Sequence, residues 1–589
     1  MARRDPHSYA DDAHPQIAAF ALTADVDFAT RVLTAEVELT LRAASAAGPL
    51  DLDTRDLAID AVTDLAGQPL PFTLHPPEPI LGARLSIQLP AGTGAVRVRY
   101  RTSPDASALQ WLEPAQTLGG VHPFLFSQCQ AIHARSVVPL QDTPRVRVTY
   151  TAALTVPRAL QAVMAAADRG RSEPAATPDR AVARFEMPQP IPPYLLAFAV
   201  GELASRDLSP RCRVWAEPGL VAAAAAELVD VEPMIAAAEA LFGPYDWERF
   251  DVLTMPPSFP YGGMENPRLT FLTPTVIAGD RSLVSVIVHE LAHSWTGNLV
   301  TNANAEHFWL NEGFTVYAER RILEALHGPE VAALHASLGR RELDESIARF
   351  ADRPALTRLR THLAGVDPDD GYSMVPYEKG YFFLCALEAA VGRPAFDAWL
   401  RRYLADFRFG AVTTDDFEAH LEAALPGALA RVDARRWIDG DGLPATAIAP
   451  RAARVDAIAA LAGAVPTAEV AAVWSATEWG LYLESVPRPA PEATCRALDA
   501  LGLTARTNHD ILVPWLTLAL ASGYRAVVPR VDQVLASVGR MKYLRPLYTA
   551  LARDPATRAH AAALFARCRA GYHPIARQLV EGILRRHVA

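Results

Sequence analysis

Hydrophobic and polar positions alternate with period two through much of the first 200 residues. In AEVELTLR (35–42), Val37, Leu39 and Leu41 alternate with Glu38, Thr40 and Arg42. VRVRYR (96–101) and VRVTY (146–150) repeat the pattern. Period two with one polar face predicts antiparallel strands laid on a core. Proline-rich stretches such as PFTLHPPEP (71–79) read as the turns between them. From about residue 219 the period changes. LVAAAAAELVDVEPMIAAAEALFG (220–243) is built from strong helix formers and ends on Gly243. RFDVLTMP and RLTFLTPTVI predict short strands, and helices dominate after them. IDGDGLPATAIAPRA (438–452) has glycines, prolines and no period, which predicts a linker. Beyond it come helical stretches rich in Ala, Leu and Arg, broken by Pro or Gly, as stacked helix pairs would be.

The pattern therefore predicts a multidomain α+β chain: a β domain over 1–201, a mixed domain over 202–445 and an all-α domain over 452–589. A chain of 589 residues is long enough for several cores. Its hydrophobic fraction of 50% and charged fraction of 21% are those of a globular protein. The net charge of −10 argues against nucleic acid or an anionic membrane as the main partner. No run of about 18 apolar residues predicts a membrane span. Cys129, Cys212, Cys385, Cys495 and Cys568 have no paired spacing, which suits a reducing compartment. MARRDPHSYADDAHPQ has two arginines but no apolar core behind them, so a signal peptide is not expected. A cytoplasmic enzyme is the expectation.

The candidate chemistry lies in VHELAHSW (288–295). His289 and His293 are four apart, so a helix stacks them on one face. Two neutral imidazoles at that spacing reach one tetrahedral zinc. Glu290 projects at a neighbouring angle, toward a water on that metal rather than a ligand position. Asp280 or Ser282 would cap this helix and Gly297 would end it, and Val284, Val286, Ile287, Val288 and Leu291 make it apolar almost all round. The bland alternative is a buried helix that holds two histidines by chance. With 16 histidines in the chain, a random H-E-x-x-H match has a probability of roughly a few per cent. A third ligand decides between the two. FWLNEGFTVYAERRILEALHG (308–328) reads as a second helix with Glu312 in its first turn. A His, His, Glu set with an open fourth position is a catalytic zinc arrangement. Glu319, two turns on, either hydrogen-bonds a ligand histidine or is an ordinary surface glutamate.

Zinc would lower the pKa of its water, and Glu290 would take the proton and pass it to a leaving amine. The implied reaction is amide hydrolysis, and the developing oxyanion needs a donor besides zinc. FPYGGMENPRL (259–269) precedes the helix. Gly262 and Gly263 let a substrate backbone approach. Glu265 beside the zinc glutamate makes a negative pocket suited to a terminal ammonium. A plain turn between strands is the competing reading of this stretch.

Gly262-Gly263-Met264-Glu265-Asn266, the H-E-x-x-H motif and Glu312 together resemble the M1 (gluzincin) aminopeptidases. FPYGGMENPRLTF, HSWTGNLVTN, HFWLNEGFTVYAER and VPYEKGY resemble the leukotriene A4 hydrolase branch, as do QCQAIHARS (128–136) and GRMKYLRPLY (539–548). The resemblance reaches all three regions. It implies a β saddle, a thermolysin-like catalytic domain and a helical domain enclosing a cleft with one Zn2+. It also implies that Tyr377 stabilises the transition state and that Gln130 joins Glu265 around the substrate amine. Tyr261, Gly262, Gly263 and Met264 would line the substrate, and Arg540 with Lys542 would hold its carboxylate. Short peptides with a free N-terminus are the expected partners, and a monomer suffices for them. Asp369 and Tyr372 match positions tied to epoxide opening in that branch, which permits such an activity here. Asp370-Gly371 between them is more polar and flexible than the family pattern. Aminopeptidase ranks above epoxide hydrolase, above a zinc endopeptidase, and above an inactive peptide-binding scaffold.

Overall fold

The computed structural model describes residues 5–174, 177–283, 285–371, 373–448 and 451–588. The N-terminal region is dominated by a seven-stranded sheet. Its order runs Ala167–Ser172, Arg180–Ile191, Val148–Pro157, Ile17–Asp27, Val32–Leu41, Ala95–Arg101, Ala58–Thr63. The alternation predicts one face correctly: Val37 pairs with Val98 and Leu39 with Val96, and all four are buried. On the other face Glu38 lies opposite Arg97 and accepts from its guanidinium at 3.1 Å. Two expectations are corrected. The sheet is mixed, because Ile17–Asp27 runs parallel to Val148–Pro157. Period two reports which face is buried, not strand direction. And within the predicted turn 71–79, Phe72–Leu74 forms a short strand on Ala83–Leu89. Its three residues are exposed, so burial left no mark in the sequence.

The middle region has a five-stranded sheet in which Cys212–Ala216, Asp251–Thr254 and Leu269–Leu272 run parallel. Gly263–Met264 adds an antiparallel edge by pairing with Leu272 and Phe271. The alanine-rich stretch after 219 folds as two helices, Val221–Glu227 and Val231–Phe242, and Gly243 takes the left-handed conformation that stops the second (φ 100°). The helices that carry the chemistry are α1 (Ser285–Ala292), α2 (Trp309–His327) and α3 (Pro329–Arg349). Gly328 (φ 87°) and Pro329 divide the last two, as their types dictate. Neither Asp280 nor Ser282 caps α1. The helix starts at Ser285, three residues later, and Asp280 instead accepts from the amide and hydroxyl of Ser282 in the preceding turn. Val284 lies outside the described residues.

Among the described residues, no helix or strand lies between Ile438 and Ala453, and nine α-helices follow. Two of them frame the site: α4 (His509–Ala521) and α5 (Met541–Arg553). The strand-like segment entering α5 is fastened to the catalytic region by two backbone bonds, Gly539 N to Pro257 O (2.9 Å) and Met541 N to Pro260 O (3.0 Å). A β-carbon on Gly539 would lie 2.7–2.8 Å from Ser258 backbone, so glycine is required for that approach. The other anchor is Arg147, which VRVTY placed on a polar strand face. It is instead buried, donating to the carbonyls of Pro190, Leu299 and Gly410 (3.0–3.3 Å) and of Asn298. Burial lowers its pKa to about 10. It pins the turn after α1 to the β region. No helix among the described residues is long and apolar enough to cross a membrane. All five cysteines are free.

Candidate metal centre and substrate cavity

Helix α1 presents His289 and His293 one turn apart, and α2 lays Glu312 against them. The Nε2 atoms of the two histidines are 3.2 Å apart, and Glu312 Oε2 is 3.5 Å from each. Each ring is held from behind at Nδ1. Glu319 of α2 binds His289 at 3.0 Å, and the carbonyl of Thr296 binds His293 at 3.1 Å. Thr315 lies 3.1 Å from the same His293 nitrogen and donates to Thr296 O at 2.8 Å. The Nδ1–H of each ring is thereby committed, and both Nε2 lone pairs face Glu312. Glu319 therefore serves the histidine rather than the surface.

Three observations show that this set fits a divalent cation. The three ligand atoms lie within 4.8 Å of one another. Glu312 Oε2 is buried and has no hydrogen-bond donor. And the charge is unbalanced: Glu265, Glu290, Glu312 and Glu319 crowd one cavity wall. Burial, then Glu312 and Glu290, push Glu265 well above the carboxylate range. Burial, with Glu312 and Glu319, pushes Glu290 up to about 8. Burial holds His293 near 4, whereas Glu312 and Glu319 outweigh burial at His289 and raise it well above the imidazole range, so that a proton there stands where a cation would. Positive charge at the convergence of Nε2 and Oε2 would satisfy Glu312 Oε2 and relieve the crowding of the carboxylates. Glu265, Glu290 and His293 also come within 4.8 Å of each other, so Glu290 abuts the same point without being needed as a ligand.

A cavity of about 870 Å³ opens from this centre. It collects Gln130, Tyr261, Gly262, Gly263, Met264, Glu265, His289, Glu290, His293, Glu312, Asp369, Tyr377, Arg540 and Lys542, residues drawn from all three regions. Tyr372 lies outside the described residues. In its wall Gln130 Nε2 donates to Glu265 Oε1 (3.4 Å), and Asn298 fixes the Glu265 carbonyl at 2.7 Å. Arg540 is buried against the glycine loop, donating to Thr275 Oγ1 (3.2 Å) and Tyr543 OH (3.1 Å). Lys542 is half-exposed, with its ammonium 2.8 Å from Asp510. The Asp369 carboxylate is tied to His133 Nε2 at 2.9 Å.

Tyr377 stacks near His289 (6.3 Å between centroids). Its segment, Val375–Lys379, is a π-helical turn, a widening often found at functional sites. Two buried neighbours lock the turn. Arg320 of α2 grips both oxygens of Glu378 (2.6 and 2.8 Å), and Lys379 donates to the carbonyls of Thr357 and Gly440 (both 2.8 Å). Sequence reasoning passed over Arg147, Asn298, Thr315, Arg320 and Asp510. Asn298 lies in HSWTGNLVTN and Thr315 and Arg320 in HFWLNEGFTVYAER, quoted as resemblance without assigned roles; Arg147 and Asp510 carried no local signal.

The two adjacent glycines have different neighbours. A β-carbon on Gly262 would meet only Arg540 Nη2, at 3.0 Å, whereas one on Gly263 would lie 2.2 Å from Glu290 Oε1 and 2.8 Å from its Cγ. Gly263→Ala is thus expected to displace Glu290 and lower kcat/KM about 10- to 100-fold, with metal content unchanged. Steady-state kinetics beside elemental analysis of the variant checks this; full activity would mean Glu290 has room to move without consequence.

Three family models match the chain: the peptidase M1 N-terminal domain over residues 6–195, the peptidase family M1 domain over 227–437, and the leukotriene A4 hydrolase C-terminal domain over 474–584. A leukotriene A-4 hydrolase of Xenopus laevis is 39% identical, with 98% of each chain covered. Leucine aminopeptidase 2 of Aspergillus niger is 38% identical over 90% of this chain and 89% of its own. The structure of a yeast LTA4 hydrolase in complex with bestatin superimposes with a TM-score of 0.90 at 32% identity, covering 99% of this chain and 97% of the other. The three-region architecture, the His-His-Glu group and these full-length matches agree: the chain belongs to the M1 peptidase family, in its leukotriene A4 hydrolase-like branch.

Proposed function

We propose that this protein is a zinc aminopeptidase that removes the N-terminal residue from short peptides. One observation carries the reading: the His-His-Glu group lies in a cavity that also holds a carboxylate–amide pair and a buried guanidinium, which we take as its two ends. His289, His293 and Glu312 would hold the zinc, which when bound supplies Lewis acidity that polarises the scissile carbonyl and acidifies water. Glu290 takes a proton from the attacking water and returns it to the departing amine. Tyr377 donates its hydroxyl to the carbonyl oxygen as charge builds there. Glu265 and Gln130 bind the substrate ammonium, and Arg540 binds its carboxylate. Tyr261, Gly262, Gly263 and Met264 form the wall along which the peptide lies, and Lys542 completes the far end.

An internal amide has no charge to offer Glu265, so an endopeptidase is disfavoured. The relatives are named for both leukotriene A4 hydrolysis and leucine aminopeptidase activity. Epoxide opening ranks second here, because Asp369 is engaged by His133. We also take 1–201, 202–445 and 452–589 as the domain limits and the cytoplasm as the site of action, the latter consistent with five free cysteines.

The test is a panel of N-terminally free and acetylated di-, tri- and longer peptides, with and without a chelator. Free tripeptides should be cleaved, acetylated ones should not, and chelation should stop turnover. Cleavage of acetylated peptides would defeat the assignment. Arg540→Ala is expected to lower kcat/KM for tripeptides about 10- to 100-fold, the worth of a charge-assisted hydrogen bond. An amino-acid anilide, which lacks a carboxylate, should be spared.

A further inference from the structure

The two cations at the far end of the cavity are not equivalent. Among the described residues, Arg540 donates to two hydroxyls, those of Thr275 and Tyr543. Lys542 instead meets a carboxylate, Asp510 Oδ1, at 2.8 Å. Asp510 does not line the cavity; it sits behind Lys542 in the first turn of α4. The same oxygen accepts from Tyr543 OH at 2.9 Å, and Tyr543 in turn receives Arg540 at 3.1 Å. One carboxylate thus connects both members of the cationic pair. Its own position is secured by Asn508, whose side chain accepts from the Asp510 amide (2.9 Å) and donates to Ser282 Oγ (2.6 Å) just ahead of α1.

We propose that Asp510 is a positioning residue that offsets the charge of Lys542, so that of this cationic pair Arg540 alone presents an uncompensated charge to a peptide carboxylate. This rests on the reading of Arg540 and Lys542 as the carboxylate end. Asp510 stays ionised: burial alone would raise its pKa, but Lys542, Arg540 and the bonds from Lys542 and Tyr543 outweigh it and hold it at about 2. Burial, with Arg530 and Arg540, keeps His509, stacked on Tyr543, near 4, so it adds no charge at neutral pH. Arg540, Lys542 and Asp510 then sum to one positive charge. Glu342 of α3 and Arg545 of α5 also line the cavity; Arg545 is common to every variant, and because burial raises Glu342 to about 7 while Lys542 lowers it, the ratios are compared at a pH well above 7, where Glu342 is ionised with or without Lys542.

Charge counting gives an order that a purely structural role would not. The readout is kcat/KM for a tripeptide with a free C-terminal carboxylate, divided by that for its C-terminal amide. The ratio within one variant cancels losses from folding or turnover. Asp510→Asn, which keeps shape and accepts the Tyr543 bond, should raise the ratio about 3- to 10-fold, the effect of one unit charge in a water-filled cleft. Lys542→Met alone should lower it. The double variant Asp510→Asn/Lys542→Met restores the original sum and should return the ratio to within about 2-fold of wild type. An unchanged or lower ratio for Asp510→Asn would overturn the proposal, as would a double variant that keeps the gain. Arg540→Ala separates the two levels of inference. If it lowers the ratio while Asp510→Asn has no effect, only the role of Asp510 is lost. If Arg540→Ala leaves the ratio unchanged, the carboxylate end itself is misassigned and this proposal falls with it.

Discussion

Replacing Glu290 with glutamine is expected to lower peptide hydrolysis by about 10²- to 10⁴-fold, the range for removing a positioned general base. The metal content should not change. Glu290 is buried against Gly263, and glutamine fills the same volume, so the wall of the cavity is preserved. The ligand atoms of His289, His293 and Glu312 are left in place, with Glu319 and Thr296 still fixing the two rings. What disappears is the capacity to accept a proton, because an amide oxygen is not a base near neutral pH. Stoichiometric metal by elemental analysis, together with the collapse of turnover, is the expected pair of results. Retention of more than about a hundredth of the wild-type rate would assign the proton to another group. Loss of the metal would make Glu290 a ligand instead.

The second large effect is expected from Tyr377→Phe: a fall in kcat of about 10²- to 10³-fold with KM changed much less, as for removal of an oxyanion donor. The hydroxyl is aimed by the fold rather than by chance. Arg320, from the helix that carries Glu312, grips Glu378 next to the tyrosine, and Lys379, the residue after that, is anchored to two carbonyls. Phenylalanine keeps the ring beside His289 and Phe308, so binding surface is retained. Separate determination of kcat and KM on one tripeptide decides it. An unchanged kcat would remove Tyr377 from the reaction, and a change confined to KM would make it a binding group.

Much of this site was legible because its core is local. Histidines four apart share a helix face wherever that helix packs, and Glu312 follows in the first turn of the next helix. The buried face of the seven-stranded sheet was legible for the same reason, since Val37 and Leu39 report burial by position alone. Arg147 misled in the opposite direction. Its place in an alternating strand predicts solvent, yet three of its four acceptors lie 151, 152 and 263 residues away. A buried cation satisfied by carbonyls leaves no trace in local spacing. Glu319 was ambiguous until the structure put it 3.0 Å from His289.

The chain's own periodicities and spacings determined its classes of element, the candidate His-His-Glu group and the glutamate beside it, because those depend on contacts within one or two turns. Tertiary structure alone decided that Gly263 faces Glu290, that the β region's Arg147 clamps the turn after α1, and that Lys542 is paired with Asp510 while Arg540 reaches the hydroxyl of Thr275. These relations join residues tens to hundreds of positions apart. They exist only once sheets and helices have packed, when burial obliges each polar group to find whichever partner the fold brings within reach.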